Sequence, residues 1–118
     1  MRCISGDALR GHLETLVLSA LSRGEAHGFE ILQRLEAAGS GALRLKEGSL
    51  YPALYRLETS GLVKAEWESN IARRRGPRRR IYRLTPKGVR RLEEARGDFR
   101  QFVSVIGGIL KPANPSSP

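Results

Sequence analysis

Cysteine occurs once, at Cys3, so no internal disulfide can staple the chain and no thiol pair is present to hold a metal. A reducing, cytoplasmic compartment is the expectation that follows. Long apolar runs are missing too. The early stretch from Leu13 to Leu21 is broken by Glu14, Thr15 and Ser19, unlike a secretory leader. Nothing approaches the run of about eighteen apolar residues that a membrane span needs. Histidine is limited to His12 and His27, and neither sits at a recognisable spacing from a thiol, an acid pair or a third histidine. There is no nucleophile–base pair, metal-ligand spacing or phosphate loop, so neither an enzyme nor a cofactor is expected. Aromatic residues are few, with three Phe, three Tyr and one Trp, mostly at core spacings. That argues against a stacking surface for single-stranded RNA.

Acidic residues are absent from one long stretch, and this absence is the most informative. Between Ile71 and Arg91 the chain places Arg73, Arg74, Arg75, Arg78, Arg79, Arg80, Arg83, Lys87, Arg90 and Arg91, with no Asp or Glu. The whole chain of 118 residues has 21 Lys+Arg and 12 Asp+Glu, for a net charge of +9. Outside the stretch, 11 basic residues face 12 acidic ones, so one segment carries all of the excess charge. A block of this kind repels itself unless it meets a polyanion. Arginine, which forms bidentate bonds to phosphate and guanine edges, outnumbers lysine in it nine to one.

What is present reads as one domain with an appended helix, mainly α with a small β-hairpin. Leu9, Leu13, Leu16, Val17, Ala20 and Leu21 recur at helical spacing, which predicts a first helix over about 7–23, ended by Gly24. A second runs from about His27 to Ala38, with Phe29, Leu32 and Leu35 on one face and Ile31 beside them, and stops at Gly39-Ser40-Gly41. A short extended piece follows from Ala42 to Lys46. The third helix is predicted to start near Ser49 as N-cap, which puts Pro52 in the first turn, where N–H groups lack partners anyway. Leu50, Leu54 and Leu57 make its buried stripe, and Gly61 ends it.

Leu62–Glu68 alternates imperfectly as a strand, with Val63, Ala65 and Trp67 on one face. Arg80–Leu84 is its partner, across a long arginine-rich turn holding Gly76-Pro77. Tyr82 is expected to pack in the core or the hairpin. Trp67 is expected to anchor this ribbon to the core, with ligand stacking as the alternative. Thr85-Pro86 opens a last helix by capping and by proline at the first position. That helix is predicted to reach Leu110, about 37 Å at 1.5 Å per residue. The organisation is thus 1–84 for the ribbon-bearing domain, 85–110 for the helix and 111–118 for a disordered tail.

Three helices followed by a basic hairpin make a winged helix-turn-helix. In that arrangement the third helix enters the major groove of double-stranded DNA and the wing reaches phosphates or the adjacent minor groove. The positive charge lies where this geometry needs it.

Several motifs resemble the PadR-type transcriptional regulators. His27-Gly28-Phe29-Glu30-Ile31 is similar to that family's second-helix signature. The segment from Gly48 to Glu58, beginning Gly48-Ser49-Leu50-Tyr51-Pro52, resembles its recognition helix. Gly61-Leu62-Val63 with Trp67, and Gly76-Pro77 through Gly88, resemble its wing and the start of its last helix. The resemblance covers roughly Leu9 to Leu92. It implies a homodimeric repressor of the smaller subfamily, which has a single C-terminal helix. A small aromatic or drug-like effector near the dimer interface is compatible with it, although no residue here identifies one. The turn Asn70–Arg75 is longer and more basic than the family pattern suggests.

On this reading the candidate DNA contacts are Lys46, Ser49, Tyr51, Tyr55 and Arg56 around the third helix and Arg73, Arg74, Arg75, Arg78 and Arg79 in the wing. The resemblance gives the Tyr51 hydroxyl a backbone phosphate; the alternative is a half-buried packing tyrosine. Arg56 is the candidate base reader, and its alternative is a surface ion pair with Glu58 or another acid. The candidate dimer interface is Leu92, Phe99, Phe102, Val103, Ile106 and Leu110, because such a stripe would be a liability in a monomer. Repression by occupancy of a pseudo-palindromic operator is the expected mechanism. Non-specific architectural DNA binding is the principal alternative. A protein–protein module built on the helical stripe fits the charged wing poorly.

Overall fold

The computed structural model describes residues 4, 9, 11–69 and 76–113. The chain runs α1 (Leu13–Leu21), β1 (Ala26–His27), α2 (Gly28–Ala38), α3 (Glu47–Thr59), β2 (Val63–Trp67), β3 (Arg80–Leu84) and α4 (Pro86–Leu110). The strands form one antiparallel sheet in the order β1-β3-β2. Arg73, Arg74 and Arg75, at the expected tip of the wing, lie outside the described residues. So does most of the segment expected to be a disordered tail.

The core is the place where the helices and the sheet root meet. Val17, Leu18 and Leu21 of α1, Ile31 and Leu35 of α2, and Leu50, Leu54 and Leu57 of α3 close on Val63, Tyr82 and Leu92. α1 is shorter than its periodicity predicts. Gly11 has φ +87° and residues 11–12 form a turn, so the helix begins at Leu13, although Leu9 is still buried in the core. The turn after α1 is held by Arg34, whose guanidinium donates to the carbonyls of Ala20, Gly24 and Glu25. These would otherwise be unpaired groups near a helix end.

β1 is the element the sequence reading missed. The hairpin is the outer part of a three-stranded sheet, because Ala26 and His27 pair with Tyr82 and Ile81 of β3. His27 then caps α2 in a capping box: its Nδ1 accepts from Glu30 N–H while the Glu30 carboxylate accepts from His27 N–H. The buried face of α2 is Gly28, Ile31 and Leu35, with Leu32 partly buried against the core and Phe29 outside it. Phe29 is 56% exposed. Gly28 points inward because the ring of Tyr51 occupies the space in which a side chain would stand.

α3 begins at Glu47 with Lys46 as N-cap, so Ser49 is not the cap. The first intrahelical bond, from Leu50 N–H to the Lys46 carbonyl, is 3.1 Å. Pro52 is therefore interior and deprives the Gly48 carbonyl of its usual donor; Gly48 is exposed, so that carbonyl is open to solvent. The helix ends as glycine signals require. Gly61 has φ +76°, Leu62 N–H reaches the Leu57 carbonyl at 2.9 Å, and Gly61 N–H reaches the Glu58 carbonyl at 3.0 Å. Thr85 locks the base of the wing to this turn. Its hydroxyl donates to the Gly61 carbonyl at 2.6 Å and accepts from Gly88 N–H at 3.0 Å, so it also caps α4.

α4 has two parts. Gly88, Leu92 and Ala95 are buried against the domain. Beyond Ala95 the helix continues to Leu110 with Phe99, Phe102, Val103, Val105, Ile106, Ile109 and Leu110 exposed. Leu92 was expected in the dimer interface, but it is 2% exposed and belongs to the core of its own domain, because the first turns of α4 rest on α1 and β3. No helix among the described residues is long and apolar enough to cross a membrane.

Candidate nucleic-acid interface

The buried stripe of α3 fixes what the helix offers to solvent. With Leu50, Ala53, Leu54 and Leu57 inside, the opposite face carries Gly48, Pro52, Tyr55 and Thr59. Tyr55 stands at its centre, 71% exposed. Lys46 and Ser49 are exposed at the helix start. Tyr51 and Arg56 lie on opposite flanks. Tyr51 is partly exposed, and its hydroxyl packs against Gly28 at the N-terminus of α2. Arg56 turns toward α1, where its Nε donates to Glu14 Oε1 at 2.6 Å. Both side chains of that pair are about half exposed, so it is an accessible ion pair rather than a buried lock. The five α3 candidates thus gather on and around one surface.

The wing rises beside the same helix. Arg78 is exposed near its outer end, just before β3. The Arg79 backbone N–H donates to Glu68 Oε1 at 2.9 Å, and its guanidinium comes beside the His27 ring. The register pairs Trp67 with Arg80 and Ala65 with Tyr82, so these four side chains share the face that continues the core. Trp67 does not anchor the wing in the core. It is 57% exposed, and the Arg80 guanidinium lies 5.3 Å from its ring centroid. The same guanidinium donates to Glu58 Oε2 of α3 at 3.0 Å. Tyr82 is buried beneath. Burial is the largest influence on its hydroxyl and raises its pKa; the positive charge of the nearby Arg80 guanidinium pulls the other way.

Arg80 and Glu58 are the residues that reading by pattern passed over. The signal was present: Trp67 and Arg80 flank the wing turn and face each other once the hairpin register is known. His12 is also more than an isolated histidine. It meets Phe99 of α4 edge-on, with centroids 5.7 Å apart, and Phe102 stacks against Phe99 at 6.3 Å. Among the described residues no group of His, Cys, Asp or Glu is placed to hold a metal ion.

A three-helix core with its third helix exposed beside an antiparallel wing defines a winged helix-turn-helix protein. Comparison with known proteins narrows the class. The model of the transcriptional regulator PadR-like family matches residues 17–94, and the chain belongs to that family. Its members are transcriptional regulators, not enzymes. The chain is 35% identical over 109 residues to the transcriptional regulator Rv3488 of Mycobacterium tuberculosis, covering 92% of each chain. A solved transcriptional regulator from Clostridium thermocellum superposes with a TM-score of 0.80 at 30% identity, over 92% of this chain and 99% of that one. A PadR-family regulator from Eggerthella lenta gives 0.76 at 31% identity, over 91% and 88%.

Proposed function

We propose that the protein is a repressor that occupies a pseudo-palindromic operator as a homodimer. The carrying observation is the pairing of an exposed α3 face with an α4 stripe that its own domain leaves uncovered. Two α4 helices related by a two-fold axis bury Phe99, Phe102, Val103, Ile106 and Leu110, with help from the partner's α1. The two α3 helices then meet successive major grooves about one DNA turn apart. Tyr55 and Arg56 face base edges; Lys46, Ser49 and the Tyr51 hydroxyl meet phosphates; Arg78, Arg79 and the arginines Arg73–Arg75 grip the flanking backbone. An aromatic effector would lie against His12, Phe99 and Phe102, where α1 meets α4.

The test is binding to the DNA upstream of the protein's own gene, titrated against salt, with a scrambled duplex as competitor. Preference for the native duplex by about a thousandfold supports the operator reading. Equal binding to both, vanishing with salt, favours an architectural protein held by counterion release.

A further inference from the structure

We infer that Arg80 is a positioning residue, a brace that sets the wing against α3, and that it is withheld from DNA although it stands in the most basic stretch of the chain. The inference rests on the reading of α3 and the wing as one DNA-binding surface. Two groups from other elements converge on this guanidinium. Trp67 lies under it from β2, and Glu58 of α3 accepts from its Nη2 at 3.0 Å. Glu58 is the α3 acid nearest the wing, and Trp67 is the last residue of β2 before the turn region. The chain Glu58–Arg80–Trp67 therefore links the recognition helix to the outer end of the wing, beyond the point where core packing can hold it.

The chemistry requires arginine. One flat group must meet a ring face and a carboxylate at once, a geometry that a planar guanidinium supplies and a lysine ammonium, a point charge, does not. A contact to phosphate, in contrast, would tolerate lysine as a point charge. Arg80 and Glu58 are each about a third exposed, so the pair adds little to overall stability. Its role is to fix direction: it aims Arg78 at the phosphates beside the groove that α3 occupies.

Arg80→Lys and Glu58→Gln test this, read on the full chain with and without a duplex. Trp67 is the sole tryptophan, so its fluorescence reports on this site alone. Without DNA, both variants are expected to lower the steady-state anisotropy of Trp67 and raise its quenching by acrylamide, with thermal unfolding nearly unchanged. With DNA, both are expected to bind about tenfold more weakly. Base preference is retained, and the salt slope is shallower by about two because wing phosphates are lost. Unchanged Trp67 mobility in both variants overturns the brace whatever the DNA result. Wild-type affinity in Arg80→Lys, or tighter binding with an undiminished salt slope in Glu58→Gln, means that Arg80 touches phosphate itself and also overturns it. A wild-type chain that binds no duplex refutes the DNA-binding reading, and with it the DNA arm of this proposal, while the Trp67 readout still decides the brace.

Discussion

Val103→Asp separates dimerisation from folding. Val103 lies mid-stripe on α4, between Phe99 and Ile106, and is 49% exposed in the single chain. Asp and Val have similar helix propensities, and the site lies past the last buried residue of α4, Ala95, so the monomer should fold unchanged. In a two-fold dimer the substitution is counted twice. Each copy forfeits about 1 kcal/mol, because roughly half of a valine side chain remained to be buried. Each also leaves a carboxylate at an apolar seam, costing about 1–3 kcal/mol. The sum, roughly 4–8 kcal/mol, weakens the dimer by about a thousandfold or more. Sedimentation equilibrium over a wide concentration range measures it, with circular dichroism confirming helix content. Operator binding should fall in parallel, since one half-site then holds alone. A variant that dimerises as well as the wild type refutes the assignment of this stripe as the seam.

Arg56→Ala should weaken specific binding by about 1–3 kcal/mol and relax base preference at one position, with the melting temperature almost unmoved because the Glu14 pair is exposed. Unchanged affinity and preference on a panel of single-base operator variants would refute a reading role. Gly88→Ala should destabilise by about 1–3 kcal/mol, since its new methyl group would run into the Leu62 backbone carbonyl, which has little room to shift. Denaturant unfolding measures the loss, and wild-type stability would mean that α4 tilts freely on the wing root. Tyr82 gives a pH signature. Its hydroxyl holds its proton above the ordinary 10.0, so the unfolded chain loses a proton first and stability falls as pH rises past that value. Below it the contribution is constant. The difference in unfolding free energy between wild type and Tyr82→Phe should therefore be flat at neutral pH and decline in alkali; a flat difference throughout would refute the burial argument.

Tyr82 also shows how far local pattern reaches. Its packing in the core or hairpin was readable, but its pairing with Ala26 was not, because β1 is a strand of two residues with no period of its own. The same limit explains Ser49. Cap chemistry favours serine locally, yet the helix starts at Glu47, leaving Ser49 exposed in its first turn and Pro52 in its interior.

The sequence alone determined the order of helices and wing, their glycine and threonine boundaries, and the concentration of positive charge. These depend on backbone freedom, capping and net charge, which are local or additive. The candidate contacts of α3 were legible for the same reason: once Leu50, Leu54 and Leu57 are inside, the remainder is outside. Only the tertiary structure decided which neighbour covers each face. Periodicity assigned Phe29 to the core and Leu92 to a partner subunit, whereas packing puts Gly28 under Tyr51 and Leu92 inside its own domain. It likewise moved Trp67 to the surface and gave Arg80 partners on β2 and α3. A charge or an aromatic ring has its type written in the chain. Its partner is fixed only when distant segments meet, because that choice depends on distance, and distance between segments has no local signal.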